Sequence, residues 1–257
     1  MPTYNQNDSQ VIYDFSNKQT KGAFLTKVFG MMFICLLITT VVAAGFGYGF
    51  QYLLNTTAVD GVYNEKLLMG LFVTLGISIV ALLVMSFVLP ITFARGRHNI
   101  FVPLMIYVVL MGIMLSTFTF IFDWVILVES FGITSVIFGV MALLGYISKG
   151  RLAGIGFILI GLLIGAAALS LINWGMMMFG YFNETNVRLY WIVSLLIFAF
   201  LMLVTLYDVH RIKRIAEAGA GNDNNLTYYC AYILYSDFIA ILIRVIYYVA
   251  MISGRRR

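Results

Sequence analysis

Two aspartates, Asp208 and Asp237, stand inside otherwise apolar stretches of the chain, and of all its residues they are the best placed to do chemistry. An ionised carboxylate at bilayer depth costs roughly 2.5 to 3.5 kcal/mol even on lenient insertion scales, so an intramembrane acid points first to function. Two carboxylates at hydrogen-bonding distance in a low-dielectric setting cannot comfortably both ionise, and they share a proton. Such a pair is a proton-linked latch. One shared proton holds the two helices together, and its loss sets like charges against each other.

The elements that must position this pair follow from composition. Of the 257 residues, 62% are hydrophobic and 11% charged, against the ~25% charge of an ordinary soluble domain. The chain reads as an all-α integral membrane protein. Apolar runs long enough for a ~30 Å hydrocarbon core fall at about 28–50, 67–93, 103–122, 131–148, 152–178, 188–209 and 226–252. The expected fold is a seven-helix transmembrane bundle forming a single domain over 21–257, with a disordered cytoplasmic tail over 1–20.

Orientation follows from the basic residues. Lys18, Lys21 and Lys27, then Arg95 and Arg97, then Lys149 and Arg151, then Arg211, Lys213 and Arg214 occupy alternate connections, which puts the N-terminus and those loops in the cytoplasm. The last run breaks the rule by sending Arg255, Arg256 and Arg257 outward. Either it crosses and the earlier bias overrides those charges, or it dips in and returns as a re-entrant segment buried in protein; its length favours the crossing. Asp237 and Arg244 inside it favour a central position wrapped by the other helices, because lipid exposure of both would be costly.

The formal charge of +5 is clustered at helix ends, which suits anionic lipid headgroups and offers no face for nucleic acid. Cys35 and Cys230 lie in or beside apolar runs and read as packing residues. No phosphate-binding loop or zinc cluster occurs, so no cofactor is expected. Pro90 predicts a kink late in the second helix. Gly161 and Gly165 form a small-xxx-small pair that predicts tight packing inside the bundle. His210 falls in a basic cluster and reads as a solvated helix end.

Depth then brings the acids together. If the sixth helix runs on to Ala218 and the last begins at Leu226, Asp208 lies ten residues before the turn and Asp237 eleven after it, so each stands ~15 Å from it. Arg244 shares the face of Asp237 but sits ~10 Å deeper. Arg95 or Arg97 can reach Asp208 from the cytoplasmic side, with an interfacial anchor as the plainer role for each. Arg211, at i+3 from Asp208, offers a local pair instead.

Four segments together resemble a known family: Phe24-Leu25-Thr26-Lys27-Val28-Phe29, Phe138-Gly139-Val140-Met141-Ala142-Leu143-Leu144-Gly145-Tyr146, Leu206-Tyr207-Asp208-Val209 and Leu234-Tyr235-Ser236-Asp237-Phe238-Ile239. In order and spacing they are similar to the Bax inhibitor-1 family, over nearly all of the chain after about residue 20. The resemblance implies a seven-helix fold with a central last helix and a pH-sensitive, calcium-permeable leak governed by an aspartate pair, which Asp208 and Asp237 match. It also implies an arginine in the second helix that exchanges partners with the pair, matched first by Arg95 and second by Arg97. The short tail after the last helix leaves little room for tail-dependent interactions.

The leading functional expectation is therefore a passive cation pathway with protons and calcium as its small partners. Calcium takes six to eight oxygen ligands. Asp208 and Asp237 with carbonyls and water would hold it only transiently, which suits conduction. Asp60, Glu65, Asp123 and Glu129 could draw cations to the outer mouth, though a solvated loop face is their plainer role. An intramembrane aspartyl protease is the enzyme alternative, but Asp237 follows Leu234, Tyr235 and Ser236, where that class needs Gly-x-Gly-Asp; an enzyme is not expected. A proton-coupled transporter lacks an inverted repeat. A non-conducting regulator that binds another membrane protein, such as a protease or a cell-death component, stays open. The expected location is a bacterial cytoplasmic membrane first and an endoplasmic reticulum membrane second.

Overall fold

A computed structural model of the chain describes residues 6–57, 65–96, 99–148, 153–178, 184–218 and 224–254. Its elements are α1 (Gln6–Thr57), α2 (Glu65–Arg95), α3 (Phe101–Leu115), α4 (Thr117–Ile121), α5 (Trp124–Ile147), α6 (Ala153–Met178), α7 (Glu184–Glu217) and α8 (Asn224–Gly254), with no strand among the described residues. Among the described residues six stretches are long and apolar enough to cross a membrane, and α6 carries the shorter apolar run Phe157–Ile172. The protein is an all-α integral membrane protein. In lipid, only structures that satisfy their backbone internally can cross, and the helix does so within one segment.

The third crossing is split. At its break, Ser116 Oγ donates to the Ile113 carbonyl at 2.5 Å and Thr117 Oγ1 to the Met114 carbonyl at 2.7 Å. Side chains that take backbone acceptors in this way bend helices, and α4 follows α3 as a separate short piece.

The chain divides into two compact units, Met1–Glu129 with Ile215–Tyr235 and Ser130–Arg214 with Ser236–Arg257. The segment read as a disordered tail has helical backbone from Gln6 onward.

In the first unit α1 and α3 pack closely. A Cβ on Gly112 would stand 2.7 Å from Val42 Cβ and 3.0 Å from the Thr39 carbonyl oxygen, so the approach requires glycine. Tyr235, at 0% exposure, reaches into this seam with its hydroxyl 2.6 Å from Thr39 Oγ1. Thr39 donates onward to the Val108 carbonyl at 3.4 Å, which leaves the tyrosine as donor in the shorter contact. The Tyr107 ring meets Tyr232 and Tyr235 edge-on at 5.1 and 6.1 Å, and Phe93 stacks on Tyr229 at 4.1 Å. Asn225 Oδ1 accepts the Ile100 N–H at 3.3 Å and Asn99 Oδ1 the Phe101 N–H at 3.0 Å, covering donors that the start of α3 leaves open.

The second unit holds most of α5 and α7, all of α6 and the rest of α8. α5 buries one stripe, Ser130, Thr134, Phe138, Ala142 and Gly145, spaced at the i+3 and i+4 intervals of a helix face. α6 departs from expectation. Gly161 and Gly165 are exposed and a Cβ on either would meet nothing within 4 Å, so the pair faces outward instead of packing inside the bundle. Phe157 beside it is 85% exposed. Such a face is apolar enough for lipid to be its solvent, and small residues permit close helix approach without enforcing it.

α8 belongs to both units and has no exposed residue from Asn225 to Met251. A helix covered all round is the expected habit of a buried one.

Candidate functional site

The acidic pair is built from α7 and α8 within the second unit. Their register is set by the far end of the hairpin, where Ser194 Oγ lies 2.8 Å from the Tyr248 hydroxyl and that hydroxyl donates to the Ser194 carbonyl at 2.9 Å. Phe198 packs edge-on against the Tyr248 ring at 5.6 Å, and Trp191 stacks on it at 6.3 Å. From Ser194, Asp208 is fourteen residues along α7; from Tyr248, Asp237 is eleven residues back along α8. These steps amount to ~21 and ~17 Å, so antiparallel helices bring the two acids to nearly one level. Their carboxylates stand within electrostatic reach of each other, and the Arg211 guanidinium is within reach of Asp208. Both aspartates are half-buried. Asp237 Oδ2 is fully buried and has no hydrogen-bond partner.

α5 forms the third wall of this unit. Gly145 lets α5 press on α7, since a Cβ there would lie 2.6 Å from the Leu206 carbonyl oxygen and 3.1 Å from Val209 Cβ. One turn beyond Val209, Lys213 Nζ donates to the Tyr146 carbonyl at 2.6 Å and the Ser148 carbonyl at 3.2 Å. Its ammonium also sits 5.3 Å from the Tyr146 ring centroid. Carbonyls at a helix C-terminus are short of donors and carry partial negative charge, so Lys213 caps α5 from α7. On α8, Phe238 meets Phe131 and Phe138, each with ring centroids 5.5 Å away.

With this geometry in hand, comparison with known proteins is decisive about kinship. The family model described as "Inhibitor of apoptosis-promoting Bax1" matches residues 21–254. The chain belongs to the Bax inhibitor-1 family. It is also 28% identical over 240 residues to the inner membrane protein YbhL of Escherichia coli strain K12, covering 91% of this chain and 92% of that one, and it matches YbhL of strain O6:H1 equally. The protein is a bacterial-type family member of the cytoplasmic membrane.

Within this Bax inhibitor-1 protein the residues singled out by sequence fall in different places. Asp208 and Asp237 share the second unit, whereas Arg95 ends α2 in the first unit as an exposed side chain. Arg97 lies outside the described residues, as does Asp60. Glu65 opens α2, and Asp123 and Glu129 are exposed near the start of α5. Arg244 is half-buried on α8. Among the described residues no cluster of His, Cys, Asp and Glu has the composition of a metal centre. Cys35 and Cys230 are buried thiols.

His210 is a correction. It is 6% exposed, and neither ring nitrogen has a hydrogen-bond partner. The solvated end expected for it fails because this last part of α7 still buries a face among the basic residues. His210 thus belongs to an inner face with Val209, Ile212 and Ala216. Lys213 and Thr134 were missed as well. Lys213 carried only a topological role in the sequence, although a lysine one turn past a tight glycine contact is placed to reach a neighbouring helix end. Thr134 gave no signal beyond its place on the buried stripe of α5.

Proposed function

We propose that the protein is a pH-sensitive, calcium-permeable leak pathway in which Asp208 and Asp237 act as a proton-linked latch. The observation that carries this reading is a pair of carboxylates on antiparallel helices within electrostatic reach, one of them with a buried oxygen that no protein group satisfies. A buried bare carboxylate oxygen is costly, and a shared proton or a passing cation relieves that cost. With the proton in place α7 and α8 hold together; without it the two charges repel and the contact loosens. Coordination by two carboxylates is too sparse for tight calcium storage and suits transient passage.

The test is calcium flux in liposomes containing only the purified protein, titrated across pH. Wild type should conduct in a pH-dependent manner, and Asp208→Asn and Asp237→Asn should each flatten that dependence. No flux at any pH would remove the pathway. Flux with the wild-type pH profile in both variants would retain the pathway and remove the pair as its sensor. Arg95→Gln and Arg97→Gln, measured alongside, examine the exchanging arginine that the family resemblance implies.

The family description supports a second reading, since it names an inhibitor. On that reading the bundle restrains another membrane protein and conducts nothing. Absence of flux together with a retained binding partner would favour it.

A further inference from the structure

Two arrangements recur among the hydroxyls inside these helices. Thr40, Thr74, Ser78, Ser135 and Thr205 each donate back to the carbonyl four residues earlier, at 2.8 to 3.0 Å. Thr39 and Ser194 instead reach a tyrosine on α8. Thr134 does neither. It is 0% exposed, and its Oγ1 is buried with no hydrogen-bond partner. A threonine that forgoes the carbonyl one turn back, in surroundings without bulk water, is aimed at something other than its own backbone.

The ring contacts say what it faces. Phe131 and Phe138 lie two turns apart on α5, and both meet Phe238. Thr134 is buried with Phe138 and lies three residues after Phe131 and four before Phe138, which puts it on the helix face whose rings meet Phe238 and at that level of α8. Asp237 precedes Phe238, ~1.5 Å along the axis. Two buried oxygens without protein partners, Thr134 Oγ1 and Asp237 Oδ2, therefore share one level of one unit.

We propose that Thr134 is a third polar group of the aspartate site and holds a buried water against Asp237. Water suits both partners, because a bridging molecule can donate to the carboxylate and still accept from the threonine hydroxyl. Buried waters typically make ~3 hydrogen bonds to groups that would otherwise go unsatisfied. A hydroxyl both donates and accepts, so the bridge survives whether Asp237 carries a proton or not. The water ties α5 to the pair and adds an oxygen beside it. This inference goes beyond the pathway reading and does not need ion flux to be true.

Difference infrared spectroscopy of the full chain in liposomes tests it, with Asp237→Asn used to assign the Asp237 carboxyl bands. Wild type should show a water O–H band that shifts in H2(18)O. Thr134→Val, which keeps shape and removes the hydroxyl, should lose that band and move the Asp237 carboxyl stretch to higher frequency. Thr134→Ser should keep both. A wild type without an isotope-sensitive band would overturn the inference. So would a Thr134→Val spectrum matching wild type, or a Thr134→Ser spectrum matching Thr134→Val. A wild type that conducts no calcium would sink the pathway reading and leave this comparison standing.

Discussion

The two halves of α8 treat polar atoms differently. From Asn224 to Tyr235, inside the first unit, the helix is a scaffold: the Tyr235 hydroxyl meets Thr39, Asn225 serves the start of α3, and four tyrosines lay their rings against α2, α3 or each other. From Ser236 onward, inside the second unit, the same helix carries Asp237 with an unsatisfied buried oxygen and Arg244 two turns further on. Near its end Tyr248 is again satisfied, through Ser194. One half is arranged for stability. The other accepts a cost in stability, which is the usual mark of a residue kept for what it does.

The sharpest way to break this contrast is to remove an anchor and a carboxylate in turn. Tyr235→Ala should destabilise the protein by ~3–5 kcal/mol, as truncation of a buried aromatic does, read as thermal unfolding in detergent. Asp237→Asn should do the opposite, raising stability by about 1–2 kcal/mol because an uncompensated buried charge is removed. That gain should be larger at alkaline than at acidic pH, since a shared proton already relieves the native pair when protons are plentiful. Melting curves across pH check both sign and trend. If Asp237→Asn proves as damaging as Tyr235→Ala, the two halves do the same job.

The smallest expected effect sharpens the account of what holds the second unit together. If α5 and α7 supply its rigidity through the Gly145 contact and the Lys213 cap, Lys213→Ala should cost ~1 kcal/mol through the lost helix-end interaction and ring contact. Lys213→Arg should recover part of it. An unchanged melting temperature in Lys213→Ala would shift the weight to the close approach at Gly145 alone.

Crossings are legible in this sequence because lipid imposes a length and a composition on anything that passes through it. The acidic pair is legible for the same reason, since Asp208 and Asp237 contrast with everything around them. Helix ends are harder to read. Arg211, Lys213 and Arg214 look like a helix end solvated all round, yet Val209, Ile212 and Ala216 between and beside them are buried, and this hid the burial of His210. Gly161 and Gly165 show the converse problem, because a small residue allows contact and does not say whether a neighbour comes. Thr134 is invisible by type: a threonine in a membrane helix is ordinary, and only its buried, unpartnered hydroxyl sets it apart.

Lys213 has one more consequence, which concerns biogenesis. By the positive-inside rule its ammonium, before α7 has met α5, counts toward the orientation of the crossing. Afterwards the Tyr146 and Ser148 carbonyls claim it. The same charge is first an address read by the insertion machinery and then a rivet between two helices, so orientation must be chosen before assembly is finished.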